Sequence, residues 1–484
     1  MSHHDWDLSA AAREEMLEHG FHPDFPPEAE KQAAELNAGT LPDDRADVRD
    51  LRDLLWSSID NDSSRDLDQI EFAERGAQGI RVLVGIADLD ADVPGGSPID
   101  RHAASETTSV YTGVRTFPML PDRLSTDLTS LVEGADRRAV VVEFAVAEDG
   151  TIAASSIYRS LVRNRAQLTY SGVGPWLEGK SAAPAKVACS PDLAAQLKLQ
   201  SEAAQALRGQ RHRLGALSFD RVEAQPVISG GRVQGLMAQP KNAAGELIED
   251  FMIAANEVMA RTLKDAGVSS IRRVVKSPER WPRIVELAAG YGDTLPPEPD
   301  AKALSAFLER RKAADGVHYS DVSLSVLKLM GPGEYVLARP GDPEQGHFGL
   351  AAHDYTHSTA PNRRFADLVT QRLIRSVLGK QRPPYPDSEL EAIARNCTLK
   401  EDAARKVERA MNKRIAAVSL ADRIGESFAA VVTGVTPKGV FVRVLDPPVE
   451  GRLMRGEQGL DVGDRLRVTL LSTDPERGYI DFGR

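Results

Sequence analysis

The sequence predicts an α+β chain of several units, on three observations. Helical spacing of Ala, Glu and Leu dominates residues 1–50. Strand and helix patterns mix through the centre, and five short alternating segments with glycines at their turns close the chain. A chain of 484 residues is too long for one compact core, so two to four domains are expected.

Residues 1–50 read as an N-terminal helical module. Ala10 to His19 and Pro27 to Leu36 are its helices, punctuated by Gly20, Pro23, Pro26 and Pro27. The pattern suits a helix-turn-helix-like unit and, equally, a plain helical cap. Thr40 to Arg45 reads as the linker. Residues 51–422 mix both element types. Val140 to Ala147 and Thr151 to Tyr158 form a hairpin around the turn Glu148-Asp149-Gly150. Helices are expected at Pro191 to Leu214, Leu247 to Ala266, Pro299 to Arg311, Phe365 to Leu378 and Ser388 to Ile424. Lys400, Arg405, Lys406, Arg409, Lys413 and Arg414 on the last of these are either a solvated face or a phosphate path.

Residues 423–484 form a third unit, whose five short strands fit a small Greek-key barrel. In it Phe441, with Lys438 and Arg443 close by, is either a core residue or a platform on which bases stack. The neighbouring cations favour stacking, which every base permits because every base has a π face.

Composition narrows the function classes. With 42% hydrophobic and 27% charged residues the chain is of ordinary globular make-up. No run of 18 uncharged apolar residues suggests a membrane span. The N-terminus lacks the basic and apolar regions of a secretion signal. Two cysteines, Cys189 and Cys397, make neither a disulfide framework nor a metal motif, and a reducing cytoplasm is expected. A net charge of -11 argues against an outer basic coat; any polyanion would be bound in an internal channel.

The most informative stretch runs from Ser58 to Gln69. Asp60, Asp62, Asp66 and Asp68 lie within nine positions, and only Arg65 inside the run opposes them. Like charges this close are costly unless a cation or solvent screens them. Mg2+ is usually held by one or two carboxylates plus substrate phosphates, so the cluster suggests metal-assisted phosphoryl chemistry. The bland alternative is a solvated acidic turn. The flanks oppose it: Leu54, Leu55, Trp56 and Ile59 precede the run, and the strand-like Ile80 to Asp88 follows.

Ser58-Ile59-Asp60 with Asp66-Leu67-Asp68 resembles the catalytic motif of the ribonuclease II/ribonuclease R family. Four further segments, in the family's order, are similar to its other signatures. Tyr111 with Pro118-Met119-Leu120-Pro121 to Leu131 is the first. Ile248-Glu249-Asp250-Phe251-Met252 with Ala255-Asn256 is the second. His347 to Leu350 with Tyr355-Thr356-His357 and Thr359 to Leu368 is the third, and Val407-Glu408-Arg409 the fourth.

The resemblance implies a ribonuclease II-type catalytic domain and a C-terminal OB-fold that binds RNA. It implies processive 3′→5′ hydrolysis of single-stranded RNA to nucleoside 5′-monophosphates with Mg2+, for which Mn2+ can substitute. Asp60, Asp66, Asp68 and Gln69 would then hold the metal, Arg363 would act on the phosphate, and Tyr111 would stack on the terminal base. Glu249 or Asp250, together with Glu408, would border the RNA, and Lys438, Phe441 and Arg443 would bind it on the barrel. The partner implied is a single-stranded RNA 3′ end, bound by a monomer.

Two departures stand out. The family has an aspartate where this chain has Gln69, so the alternative is an RNA-binding regulatory relative with impaired catalysis, or a site in which Asp62 substitutes as a ligand. Thr359-Ala360-Pro361-Asn362-Arg363 also differs from the usual Ser-Pro-Ile-Arg. A short helical module in place of cold-shock barrels would leave a wider mouth, open to structured 3′ ends with short overhangs.

Overall fold

The computed structural model describes the chain except residues 1–5, 37–47, 220–222, 230–231, 240, 316–318, 344 and 438. The expected linker at Thr40 to Arg45 and the barrel residue Lys438 therefore lie outside the described residues.

Helices α1 (Leu8–Glu18) and α2 (Pro27–Glu35) lead. Strands β1 (Val48–Asp50), β2 (Trp56–Asp60), β3 (Gln69–Gly76) and β4 (Gly79–Ala87) follow. Then come α3 (Pro98–Glu106) and the small pair β5 (Val110–Tyr111) and β6 (Thr116–Phe117). The hairpin β7 (Asp136–Val146) and β8 (Ile152–Thr169) completes a sheet of order β1-β8-β2-β3-β4-β7. Its register is antiparallel from Asp136 opposite Arg163 to Val146 opposite Ile152. β8 pairs with β7 along its first part and with β2 along its last, so the sheet curls back on itself.

Helices α4 (Tyr170–Leu177), α5 (Ala185–Ala188) and α6 (Pro191–Leu214) come next, then the hairpin β9 (Glu223–Ser229) and β10 (Arg232–Gln239). After α7 (Ala243–Asp265) and β11 (Ser270–Val274) run α8 (Trp281–Gly290), α9 (Ala301–Ala314), α10 (Tyr319–Met330) and β12 (Glu334–Ala338). Two helices close this part, α11 (Phe365–Leu378) and the 34-residue α12 (Asp387–Leu420). Helix starts follow their caps. Ser190 Oγ accepts from Leu193 N–H at 3.2 Å, which places the start of α6 where the spacing predicts it. Asn242 Oδ1 accepts from Ala244 and Gly245, which extends α7 four residues ahead of the apolar pattern.

The inner strands of the main sheet are covered on both faces. Val82 to Ala87 are all buried, as a continuous apolar run requires. The strands β13 (Ser427–Thr436), β14 (Gly439–Val444), β15 (Glu450–Arg455), β16 (Arg465–Asp474) and β17 (Tyr479–Gly483) close a barrel of order β13-β14-β15-β17-β16. Strand alternation sends Val440, Val442 and Val444 inward. Phe441 and Arg443 therefore take the outer face, half-buried, which removes the core reading of Phe441.

The N-terminal helices pack on the body of the protein. Ala12, Met16 and Phe21 share a core with Val407 and Met411 of α12. Ala29 and Ala33 of α2 join the main core beside α3. This is the packing of a helical cap. Two of the basic residues on α12 serve it: Arg414 meets Glu15 at 2.7 Å, and Lys400 donates to the Gly20 carbonyl at 2.6 Å with its ammonium over the Phe21 ring. Phe21 is 1% exposed, so Phe21→Ala is expected to cost about 3 kcal/mol in a urea unfolding curve. An unchanged midpoint would show that the cap contributes nothing to the folded body.

Candidate active site

The acidic loop joins the end of β2 to the start of β3, and its backbone is clamped from Arg65 to Asp68. Ser130 Oγ accepts from Leu67 N–H at 3.0 Å and donates to the Arg65 carbonyl at 2.7 Å. Leu131 N–H donates to the Leu67 carbonyl and Ala87 N–H to that of Asp68, both at 2.9 Å. Leu67 and Asp68 are thus part of the packed body, whereas Asn61 to Ser63 and Arg65 are exposed, so the loop is solvated in its first half and packed at its end.

Each aspartate has its own partners. Asp60 Oδ1 accepts from Asn61 N–H at 2.7 Å and from Ser64 Oγ at 2.8 Å. Asp66 Oδ2 accepts from the Tyr111 hydroxyl at 3.1 Å. Asp68 Oδ1 accepts from Asn362 N–H at 2.9 Å, and its Oδ2 lies 3.4 Å from Arg363 Nε. Asp62 turns away and accepts from Ser171 Oγ, and Gln69 sits buried at the head of β3.

The segment that carries Arg363 is fixed from two directions. Thr129 Oγ1 donates to Asn362 Oδ1 at 2.6 Å, and Ser109 N–H donates to the Arg363 carbonyl at 3.0 Å. Arg364, not Arg363, pairs with Asp367 at 2.8 Å, which leaves the Arg363 guanidinium free to face Asp68. Tyr111, Arg363, Glu408, Arg405, Tyr335 and His357 line a cavity of about 200 Å³ beside these carboxylates. Tyr111 keeps 41% of its surface exposed, and its N–H donates to Glu408 Oε1 at 3.4 Å.

Burial sets the electrostatics. It pushes the Asp68 carboxyl up to about 7 against the opposing pull of Arg363. Asp60 is raised by the same cause, and the Tyr111 phenol is raised as well. Burial therefore outweighs the pull of Arg363 on these carboxyls. Among the described residues no three His, Cys, Asp or Glu side chains converge into a ready-made cage. The donor set fits a magnesium ion completed by phosphate oxygens, the usual arrangement for that ion.

Other expected residues lie apart from this group. The two oxygens of Asp250 are taken by Arg208 and Arg211 in a buried ion pair between α6 and α7. Its 2% exposure corrects the expectation of an RNA contact, because its lone pairs are already filled. Glu249 is exposed and pairs with Lys241. Three residues near the site were not singled out from the sequence. Asn362 works through its backbone N–H, which no motif reveals. Tyr170 lies in the field of Asp60, Glu71 and Arg363. Glu71 is wholly buried with both carboxylate oxygens unpartnered, and an acidic residue inside an otherwise apolar strand could have flagged it.

A clamped acidic loop, an arginine facing it and a C-terminal OB-type barrel define a class, the ribonuclease II-type fold. Residues 48–380 match the RNB domain, and residues 426–484 match the RNase II-type exonuclease C-terminal S1 domain. The chain belongs to the RNB-domain family of ribonuclease II and ribonuclease R. It is 29% identical over 492 residues to ribonuclease R 1 of Lactococcus lactis, covering 95% of this chain and 59% of that protein. It thus spans about three fifths of that relative's length. Ribonuclease R of Mycoplasma genitalium, solved in complex with ribose-methylated single-stranded RNA, superposes with a TM-score of 0.88 at 24% identity, over 99% of this chain and 78% of that one. Yeast Ssd1, described as a pseudonuclease, shares the fold with a TM-score of 0.71 at 17% identity, over 92% of this chain and 56% of that one.

The raised Asp68 carboxyl has a sign that can be checked. A carboxyl raised by folding binds its proton more tightly in the folded state. Its contribution to stability is full below the ordinary carboxylate range and is lost as pH rises through about 7. In chelator-treated protein, Asp68→Asn should gain stability relative to the parent as pH rises from about 5 to about 8. A pH-independent difference in urea unfolding would contradict the burial argument.

Proposed function

We propose that this chain is a divalent-metal-dependent exoribonuclease that hydrolyses single-stranded RNA processively from its 3′ end to nucleoside 5′-monophosphates. One observation carries the reading: Arg363 lies 3.4 Å from the buried Asp68 and, with Tyr111, lines the cavity beside it. In this reading Asp60, Asp66 and Asp68 hold Mg2+ together with the scissile phosphate, with Gln69 as a neutral oxygen donor. When bound, the ion supplies an activated water and Lewis-acid stabilisation of the leaving 3′-oxygen.

The rest is the work of the chain's own side chains. The planar guanidinium of Arg363 donates two parallel hydrogen bonds to phosphate oxygens and steadies the charge that builds on them. Tyr111 stacks on the terminal base and holds the linkage in register; Asp66 fixes its hydroxyl and Glu408 its backbone. Glu249 sits at the border of the RNA path. Phe441 and Arg443 on the barrel's outer face, together with Lys438, guide the strand inward. The protein acts as a monomer in the cytoplasm, and Mn2+ can replace Mg2+.

Incubation with 5′-labelled single-stranded RNA and Mg2+ tests this reading. A ladder falling to a short limit product is expected, and DNA of the same sequence should be left intact because it lacks the 2′-hydroxyl. Uncut RNA that shifts in a gel would favour a binding-only protein disabled at Gln69, as the fold it shares with a pseudonuclease allows. Asp68→Asn should abolish turnover and leave RNA affinity in chelator within about threefold; equal loss of both would make the carboxylate structural. Removing residues 425–484 should weaken binding and flatten its dependence on salt, because phosphate contacts release counterions. An unaltered salt slope would take the barrel out of the RNA path.

A further inference from the structure

Thr107, the residue that caps the C-terminus of α3, takes the left-handed conformation at a φ of 59°. Among the described residues it is the only β-branched one with a positive φ, where a branched side chain is strained. Such a conformation persists only where its surroundings hold it, and it clusters at functional sites. The neighbour that holds it is Glu106, the last residue of α3, whose side chain is buried. His22 N–H donates to Glu106 Oε2 at 2.8 Å, and His22 Nδ1 lies 3.1 Å from Oε1. Ser105 Oγ donates to Oε1 at 3.0 Å, and Lys400 Nζ lies 3.7 Å from Oε2. His22 belongs to the N-terminal cap and Lys400 to α12, so one buried carboxylate ties three elements together beside the strained turn.

From that turn the chain runs straight into the site. The Thr107 carbonyl accepts from Phe365 N–H at 2.8 Å, Thr108 bridges Arg364, and Ser109 N–H reaches the Arg363 carbonyl. Val110 packs in the core that Met16 and Phe21 of the cap share with Val407 of α12. Tyr111 comes next, with its N–H on Glu408. Residues 107–111 are therefore a strip that lies along the segment carrying Arg363 and starts at Glu106. We propose that Glu106 is a positioning residue: by holding the Thr107 turn, it lets the N-terminal cap set where Tyr111 stands relative to Arg363. The inference rests on reading Tyr111 as the platform for the terminal base, and it makes the cap part of the support of the active site.

An RNA with 2-aminopurine as its 3′-terminal base, bound to the full chain in chelator, tests this without turnover, because that base loses fluorescence when it stacks on an aromatic ring. Glu106→Ala should lose most of the quenching seen with the parent. With Mg2+ its kcat should fall about tenfold or more, since small misplacements of a positioning group cost that much. Its KM should stay within about threefold, because the barrel's hold on the strand is untouched. Adding Thr107→Gly to Glu106→Ala removes the strain that Glu106 restrains, since glycine takes a positive φ freely. The double variant should regain most of the quenching and of kcat although the contacts to His22 and Lys400 stay lost; a Glu106 that only docks the cap would not be rescued. Unaltered quenching in Glu106→Ala, or a double variant as poor as the single, would overturn the proposal. Should Glu106→Ala fail to fold, Glu106→Asp decides: the charge stays and its reach shortens, so lost quenching supports the assignment and unaltered quenching overturns it. Failure of the exoribonuclease reading looks different: the parent quenches, Glu106→Ala does not, and RNA stays uncut with Mg2+. A parent that does not quench would remove the stacking role of Tyr111 and this inference with it.

Discussion

Negative charge gathered at the ends of two adjacent strands, with one arginine opposing it, is the constraint around which the rest of the structure is arranged. Burial raises the carboxyls of Asp60 and Asp68, and Glu71 in β3 has no hydrogen-bond partner. A fold keeps such groups only if the surrounding packing fixes them. Here Ser130, Leu131 and Ala87 clamp the loop backbone, and Asn362 ties Asp68 to the segment that carries Arg363. The loop therefore cannot spread to relieve its own repulsion. Under the proposed function, a cation and a phosphate would relieve it on binding.

The larger architecture serves that clamp. The curled sheet brings β2 and β3 side by side, so residues eight apart in sequence face one site. α11 and the turn before it present Arg363 from the far side, nearly three hundred residues along the chain. The long α12 then links the N-terminal helices, the catalytic body and the barrel. It carries Glu408 beside Tyr111, gives Arg414 and Lys400 to the N-terminal cap, and leads into the barrel. Its basic residues are thus neither one solvated face nor one phosphate path, because at least two hold the cap in place.

Much of this was legible in the sequence, for physical reasons that can be named. The apolar period of α6 and its Ser190 cap agree on one start, and the alternation of β14 separates Phe441 from the barrel core. The apolar flanks marked the loop as set between buried segments, which holds at Leu67 and Asp68, while Asn61 to Ser63 stay exposed. Long-range choices were not legible. Nothing near Asp250 announces that Arg208 and Arg211, some forty residues earlier, occupy both of its oxygens. Nothing in residues 8–35 says that α1 packs on α12. Of the neighbours Arg363 and Arg364, sequence cannot tell which pairs with Asp367; the turn at Asn362 decides it. Glu71 had a signal, an acidic residue inside an apolar strand, but its lack of a hydrogen-bond partner is visible only in the fold.

The central claim is that this acidic loop and its arginine grip a metal-bound phosphate. Anomalous diffraction from crystals of the Asp68→Asn variant grown with Mn2+ and a short RNA addresses it most directly. The account predicts a manganese peak against Asp60, with the last phosphodiester of the RNA between that peak and the Arg363 guanidinium. A loop without manganese, or an RNA 3′ end lodged away from Arg363, would contradict it.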